Sequence, residues 1–107
     1  QAILSGNTLY CSGQIAVNPE TEELVLSSIS EETHQVMKNI SEVLKAAGMD
    51  FSNVVKCSIF MKDMGQYSKI NDVYESYFSE NHPAREAIEV SVLPKNVNVE
   101  ISVIAVK

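Results

Sequence analysis

The sequence predicts an α+β fold in which one mixed or antiparallel sheet carries two helices on the same face. Two segments place apolar residues three and four positions apart, which is the spacing of an amphipathic helix. Shorter segments before, between and after them alternate apolar and polar residues, which is the period of a half-buried strand. The resulting order is β-β-α-β-α-β-β, and both helices need the sheet to bury their apolar stripes.

The composition limits both the size and the class of the protein. At 107 residues, 45% of them hydrophobic, we expect one domain over residues 1–107 with a sizeable core. A net charge of −6 argues against a nucleic-acid surface, which needs clustered Lys and Arg. No apolar run approaches the roughly 20 residues of a membrane span, so we expect a cytoplasmic protein, or an organellar one if a targeting segment was removed. Because the chain starts at Gln1 and not at Met, we also expect natural sequence ahead of it.

The first two strands are predicted at residues 1–4 and 8–15. Residues 5–7 between them have the composition of a tight turn, so we expect a hairpin. Cys11 lies in the second strand and Cys57 in the third. With no Cys-x-x-Cys pair and no His at a metal-ligand spacing, we expect free thiols and no metal site.

The first helix is predicted between Ser30 and Gly48. Ser30 suits the start because its hydroxyl accepts hydrogen bonds from free N–H groups, and Glu31 and Glu32 favour the positive end of the helix dipole. Gly48 suits the end because glycine adopts the left-handed conformation that closes many helices. The apolar stripe between these ends consists of Val36, Ile40, Val43, Leu44 and Ala47.

A third strand is predicted at residues 54–62 and a second helix at residues 66–78. The strand alternates, although Phe60 interrupts its polar row. The helix carries apolar and aromatic residues at three- and four-residue steps, and we assign these aromatics to the core and not to a cofactor site. They are Tyr67, Ile70, Tyr74, Tyr77 and Phe78.

Two strands close the chain, at residues 85–92 and 97–106, with turn residues between them. We expect these two strands to pair with each other. A shared apolar face would then bring Arg85, Ala87 and Glu100 out together on the opposite face. The pattern fits a plain cross-strand ion pair, worth about 0.2 to 1 kcal/mol if exposed. It also fits a sheltered pocket that a ligand anion completes.

The face of the sheet without helices is not purely polar. Phe60, Ile104 and Val106 interrupt its hydrophilic rows. A contiguous apolar patch on an exposed sheet needs a partner, and closed cyclic symmetry is the usual arrangement. We therefore expect a small homo-oligomer, with the charged residues in a cleft at or beside the subunit interface.

Six short motifs follow one another along the chain. They are Ser12-Gly13-Gln14-Ile15 with Val17-Asn18-Pro19, Val54-Val55-Lys56 running to Met61-Lys62-Asp63-Met64, Asn71-Asp72-Val73-Tyr74, Pro83-Ala84-Arg85, Leu93-Pro94-Lys95, and Val99-Glu100-Ile101. Each motif alone is weak, but six in order are specific. With these motifs the chain resembles the YjgF/RidA family of reactive-intermediate deaminases over essentially its whole length.

The resemblance implies a chorismate-mutase-like fold assembled as a homotrimer, with clefts between subunits. It implies hydrolysis of enamines and imines left by pyridoxal-phosphate enzymes, such as 2-aminoacrylate and 2-iminobutanoate, to 2-keto acids and ammonia. The implied partners are small 2-imino and 2-keto carboxylates, without cofactor, nucleic acid or membrane. The family's tyrosine lies just ahead of the segment that matches Gln1-Ala2, so no residue of this chain is assigned to it.

By position, the resemblance implies a catalytic, substrate-binding arginine at Arg85 and a catalytic, water-activating glutamate at Glu100. It also implies substrate hydrogen bonds from Ser12 and Asn71. An arginine suits a carboxylate because its planar fork pairs both oxygens, and a nearby carboxyl group can move protons between water and the leaving nitrogen. Ala87 stands where the family commonly has cysteine or another small residue, so only its backbone and small volume are available to a substrate.

Two other functions stay open at this point. The cleft could hold a small carboxylate without turnover, as a regulatory or sensing trimer, and Ala87 motivates this alternative. Ribonuclease activity or translation inhibition has been attached to some members of the family, but the acidic balance makes RNA a poor substrate. The preferred imine is not determined by the sequence.

Overall fold

A computed structural model describes residues 1–80 and 82–107 and contains one five-stranded sheet with two α-helices. The predicted element order β-β-α-β-α-β-β is confirmed. The elements are β1 (Ala2–Ser5), β2 (Thr8–Gln14), α1 (Ile29–Ala46), β3 (Val54–Met61), α2 (Tyr67–Glu75), β4 (Ala84–Glu89) and β5 (Val99–Val106).

The strands lie in the order β1-β2-β5-β3-β4. The β1–β2 hairpin turns at residues 6–7 as predicted, and Gly6 takes the positive φ of +60° that this tight turn requires. All neighbouring strands are antiparallel except β3 and β4, which are parallel. The sheet is therefore mixed.

The prediction that the two closing strands pair with each other is wrong, because β3 lies between β4 and β5. Parallel strands need a long crossover, and α2 supplies it between β3 and β4. The chain then passes the end of β3, and β5 enters the remaining space between β2 and β3, where both of its edges are hydrogen-bonded.

This strand order also overturns the prediction that Arg85, Ala87 and Glu100 share a face. Directly paired residues of a sheet point to the same side. Arg85 is opposite Cys57 of β3, a fully buried residue that faces the helices. Glu100 is opposite Phe60, on the face without helices. Ala87, two residues from Arg85, therefore lies on the helix face with it, and Glu100 lies on the other face.

The apolar alternation of β4 is the physical reason why these side chains were assigned to the wrong faces. Ile88 is opposite Phe60 on the face without helices and is 46% exposed, so the apolar row of this edge strand is not part of the core. The other apolar side chains on that face include Tyr10, Ile104 and Val106, each at least partly exposed. The expected apolar patch is thus present on the open face.

The core lies between the sheet and the two helices. Its fully buried side chains include Met37, Ile40 and Leu44 of α1, Ile70 of α2, and Ile59, Met61, Val99 and Ile101 of the central strands. Both cysteine thiols are buried and free, as predicted. In the two described ranges no helix is long and apolar enough to cross a membrane.

One buried carboxylate joins α1 to the start of β5. Glu32 is fully buried and accepts hydrogen bonds from the backbone N–H of Asn98 at 2.8 Å and of Val99 at 3.2 Å, and from the Asn98 side-chain amide at 2.8 Å. Its role therefore exceeds the helix-dipole effect expected from the sequence. The helix itself is capped by Ser28 and not by Ser30, and it is followed by Gly48 at φ +73°.

We expect Glu32→Ala to lower the free energy of unfolding by about 3 kcal/mol, because it leaves buried N–H groups without an acceptor. Glu31→Ala is the matched control, since Glu31 lies in the same helical turn but is exposed, and it should cost about 0.5 kcal/mol or less. Urea unfolding with a constant m-value measures both. Equal losses for the two variants would contradict the anchoring role of Glu32.

Candidate active site

Arg85 is held by side chains of α2. Its Nη1 donates to the Asn71 side-chain oxygen, and its Nη2 donates to the Tyr67 hydroxyl at 2.5 Å. The guanidinium carbon also lies 5.5 Å from the centre of the Tyr67 ring and 5.3 Å from that of Tyr74, within cation–π range. Residues three and four apart share one face of a helix, so α2 presents these three side chains to β4 together.

The position of α2 against β4 is fixed by a carboxylate at the far end of that strand. Glu89 accepts a hydrogen bond at 2.7 Å from the backbone N–H of Met64, in the short turn that precedes α2. The Asp63 carboxylate accepts from Gly65 N–H in the same turn, at 2.8 Å. These contacts hold the start of α2 beside the strand that carries Arg85.

Arg85 forms no ion pair within the described residues, although Glu75 lines the same depression of about 270 Å³. The ion pairs of residues 1–80 and 82–107 are Lys45 with Glu42 and Lys56 with Glu86, and neither involves Arg85. Its hydrogen-bond acceptors are both neutral oxygens, and a guanidinium has more N–H donors than these two contacts use. The side chain is exposed in the single chain, so it can receive an anion from solvent.

The groups next to Arg85 in the core do not supply a negative charge either. Burial raises the pKa of the Cys57 thiol, although the neighbouring Arg85 charge acts in the opposite direction. Burial likewise raises the pKa of the Tyr74 hydroxyl well above its ordinary value. Both groups are therefore neutral near pH 7, and the cationic character of this site is preserved.

Glu100 lies at a second cluster, on the open face of the sheet. The register between β2 and β5 shifts between Cys11 and Gln14, which places Ser12 and Gly13 in a bulge opposite β5. The carboxylate of Glu100 lies directly against Gly13, where an added Cβ would be 2.6 Å from the carboxyl carbon. Gly13 therefore gives the carboxylate the space that it occupies.

The bulge borders a depression of about 500 Å³ on the open face. The Ser12 hydroxyl donates to the Gln1 carbonyl at 2.7 Å, which fixes the side chain at its rim. Other polar residues lining the depression are Lys56, Ser58 and Ser102. In the described part of the chain no group of three or more His, Cys, Asp or Glu side chains is placed to hold a metal ion.

The predicted site residues thus fall into two clusters. The arginine cluster contains Arg85 and Asn71, with Ala87 two residues along the strand, half-buried and packed against the core. The glutamate cluster contains Glu100 against Gly13 on the opposite face, with Ser12 next to Gly13 along the strand. The structure brings Arg85 to Asn71 but shows no contact between Ser12 and Glu100, and it does not bring Arg85 to Glu100 within one chain.

Sequence reasoning missed Tyr67 and Gly13. Tyr67 has the helical spacing of a core residue and was assigned to the core, yet its hydroxyl contacts Arg85. Its position four residues before Asn71 was the available signal, because that spacing puts both on one helix face. For Gly13 the signal was a glycine inside a strand, which often marks a bulge or a close approach.

The family model and the related proteins found by comparison all match the whole chain. The family model described as Endoribonuclease L-PSP matches residues 1–107. A RutC family protein of Pyrococcus horikoshii is 48% identical over 107 residues, which are all of this chain and 85% of that protein. The human 2-iminobutanoate/2-iminopropanoate deaminase is 43% identical over 107 residues, or 78% of its own length.

Solved structures agree with these relatives. A putative endoribonuclease from Thermotoga maritima superposes with a TM-score of 0.98 at 43% identity, covering all of this chain and 84% of that one. Escherichia coli TdcF with bound serine superposes with a TM-score of 0.95 at 32% identity, covering all of this chain and 86% of that one. At these identities the likeness extends beyond the fold.

We expect Gly13→Ala to displace the Glu100 carboxylate, because the new methyl group would occupy its place. The far end of a glutamate side chain can rotate, so the free energy of unfolding should fall by only about 1 kcal/mol. A crystal structure of the variant and urea unfolding measure the two effects. An unmoved carboxylate, with the backbone at residue 13 displaced instead, would contradict the steric role assigned to Gly13.

Proposed function

We propose that this chain is a 2-iminobutanoate/2-iminopropanoate deaminase. The chain belongs to the YjgF/RidA family, which is the family that the Endoribonuclease L-PSP model describes. The observation that carries the proposal is the guanidinium of Arg85, which forms no ion pair in the described residues, is held by two neutral acceptors and is open to solvent. Such a group binds a small carboxylate, and 2-imino acids carry one beside the reacting carbon. Relatives at 43 to 47% identity are named for this activity.

The reaction is the hydrolysis of a carbon–nitrogen double bond. Water adds to the iminium carbon to give a tetrahedral carbinolamine, and the amine then leaves as ammonia while the carbon becomes the keto group. An enamine substrate first takes a proton on its terminal carbon to become the imine. Neither step needs a redox partner or a covalent enzyme intermediate.

In this proposal the arginine cluster binds the substrate and the glutamate cluster transfers protons. Arg85 holds the carboxylate and, being permanently charged, cannot serve as the base. Glu100 takes a proton from the attacking water and returns one to the leaving nitrogen, which requires its carboxylate within about 3 Å of the reacting groups. Asn71 and Ser12 orient the substrate by hydrogen bonds, and Ala87 leaves space beside it. Substrate positioning and electrostatic stabilisation are enough to accelerate the hydrolysis, because imines hydrolyse readily without a catalyst.

The proposed assembly is a homotrimer with its sites between subunits. Arg85 and Glu100 lie on opposite faces of one sheet, so a complete site needs the glutamate cluster of a second copy. The open face carries Tyr10 and Ile88, which are 51% and 46% exposed, and an exposed apolar surface favours association. Closed cyclic symmetry would form equivalent sites at every interface. The sheltered crevice expected for Arg85 and the cytoplasmic location both stay predictions.

A second candidate is a carboxylate-binding trimer that does not turn its ligand over. Two observations favour it: Ala87 offers no reactive side chain beside Arg85, and TdcF was crystallised with serine bound. The same Arg85 cluster would hold the ligand in either case. Turnover is therefore the property that separates the two candidates.

We expect the protein to accelerate keto-acid release when it is added to a threonine dehydratase acting on threonine. Arg85→Ala should reduce the acceleration by about two orders of magnitude or more, because the carboxylate clamp is lost. Glu100→Gln should lower kcat by about 10² or more, since the amide cannot exchange the proton. Following the keto acid with a coupled NADH-dependent reductase measures all three.

Lys69→Ala is the matched control, since Lys69 is an exposed cation on the same helix as Asn71. It should leave the rate unchanged. A wild-type protein that binds 2-oxobutanoate but gives no acceleration would support the binding candidate and contradict catalysis. RNA cleavage by the wild type that is lost in Arg85→Ala would instead favour the endoribonuclease alternative, which the net charge of −6 disfavours.

A further inference from the structure

We infer that Tyr67 is a further substrate-binding residue, whose hydroxyl donates a hydrogen bond to the same carboxylate that Arg85 holds. The inference rests on the proposed function, because it takes a small carboxylate as the ligand of Arg85. It adds a residue that none of the sequence motifs contains. The geometry of the Arg85 contacts carries it.

The hydrogen bond between Arg85 and Tyr67 can run in only one direction. Arg85 can only donate, so the Tyr67 oxygen is the acceptor at 2.5 Å. The phenolic hydrogen of Tyr67 is therefore not used in this contact. Within residues 1–80 and 82–107, no hydrogen bond from the Tyr67 hydroxyl to an acceptor is formed.

The Tyr67 hydroxyl is open to a ligand, whereas the Tyr74 hydroxyl is not. Tyr67 is half-buried, and its contact with Arg85 lies at the exposed side of the cluster. Tyr74, the other tyrosine over the guanidinium, has a hydroxyl that is buried beside the Cys57 thiol, so it is screened from a ligand on the exposed side. The two tyrosines therefore differ: Tyr74 packs against Arg85, whereas Tyr67 can also donate to a bound group.

Arg85 and the two side chains hydrogen-bonded to it leave several donors free for a ligand. Arg85 offers its remaining N–H groups, Asn71 offers its amide N–H₂ because its oxygen is already used, and Tyr67 offers its O–H. These three side chains present donors only, and the Glu75 carboxylate lines the depression beside Arg85. Their donors suit an ionised carboxylate, which only accepts, better than a carboxamide, which must also place N–H groups. The positive charge beside Tyr67 also strengthens its O–H as a donor.

The test compares Tyr67→Phe with wild type in calorimetric binding of 2-oxobutanoate and of its uncharged analogue 2-oxobutanamide. The variant keeps the ring over Arg85 and removes only the hydroxyl. We expect the Kd for 2-oxobutanoate to rise about tenfold, as for one hydrogen bond to a charged group. The preference for carboxylate over amide should fall by a similar factor. In the dehydratase assay KM should rise while kcat changes little, because the contact exists in ground and transition states alike.

Tyr77→Phe is the matched control, since the Tyr77 hydroxyl contacts His34 and not Arg85. It should leave the Kd, KM and carboxylate preference unchanged. Both variants should have melting temperatures within a few degrees of wild type. If Tyr67 had a purely structural role, Tyr67→Phe could weaken binding only by destabilising the fold, and its melting temperature would fall.

The outcomes separate the inference from the proposed function. Wild type that binds neither compound overturns both. Binding and turnover in wild type with an unchanged Tyr67→Phe overturn the role of Tyr67 alone, as does a loss in kcat with unchanged KM and Kd. Weaker 2-oxobutanoate binding in Tyr67→Phe, with no turnover in wild type, supports the role of Tyr67 and contradicts the deaminase.

Discussion

The placement of β3 between β4 and β5 is the constraint on which the rest of the structure depends. β3 is hydrogen-bonded to both neighbours, parallel to β4 and antiparallel to β5. Because side chains alternate along a strand and paired residues share a face, these two ladders fix the face to which each side chain of β4 and β5 points. Arg85 must face the helices and Glu100 must face away from them.

This constraint links the packing to the chemistry. On the helix face, α2 surrounds Arg85 with an amide oxygen, a phenol oxygen and two aromatic rings, which fix the guanidinium without neutralising it. On the open face, a bulge and Gly13 make space for Glu100. The buried carboxylate of Glu32 anchors the start of β5 two residues before Glu100. A single chain therefore places Arg85 and Glu100 on opposite faces of its sheet.

Much of this fold could be predicted from local patterns. The helices follow from apolar spacing, the first hairpin from a glycine turn, and the end of α1 from Gly48, because each depends on residues close in sequence. The pairing of β4 could not be predicted in this way. It depends on a crossover through α2, and Ile88 and Val90 give the edge strand the same alternation that a core strand would have.

The resemblance to the family names Arg85 and Asn71 as site residues, whereas the contact between them was not predicted. Tertiary structure decides this contact and the rest of the geometry of the site. The opposite orientation of Arg85 and Glu100 follows from the strand order, and the contact of Gly13 with Glu100 follows from a register shift. Tyr67 has the pattern of a core aromatic, and only the position of β4 beside α2 gives its hydroxyl a charged partner.

The most direct test of the two-cluster account is subunit complementation between Arg85→Ala and Glu100→Ala, each inactive alone. The two variants are unfolded separately in urea, mixed in equal amounts and refolded together. If each site combines Arg85 of one subunit with Glu100 of another, about a quarter of the sites in the mixture are intact and deaminase activity returns. A refolded mixture of wild type with the double variant controls for exchange. Activity in that control, with none in the complementation mixture, would place both groups in one subunit and contradict the account.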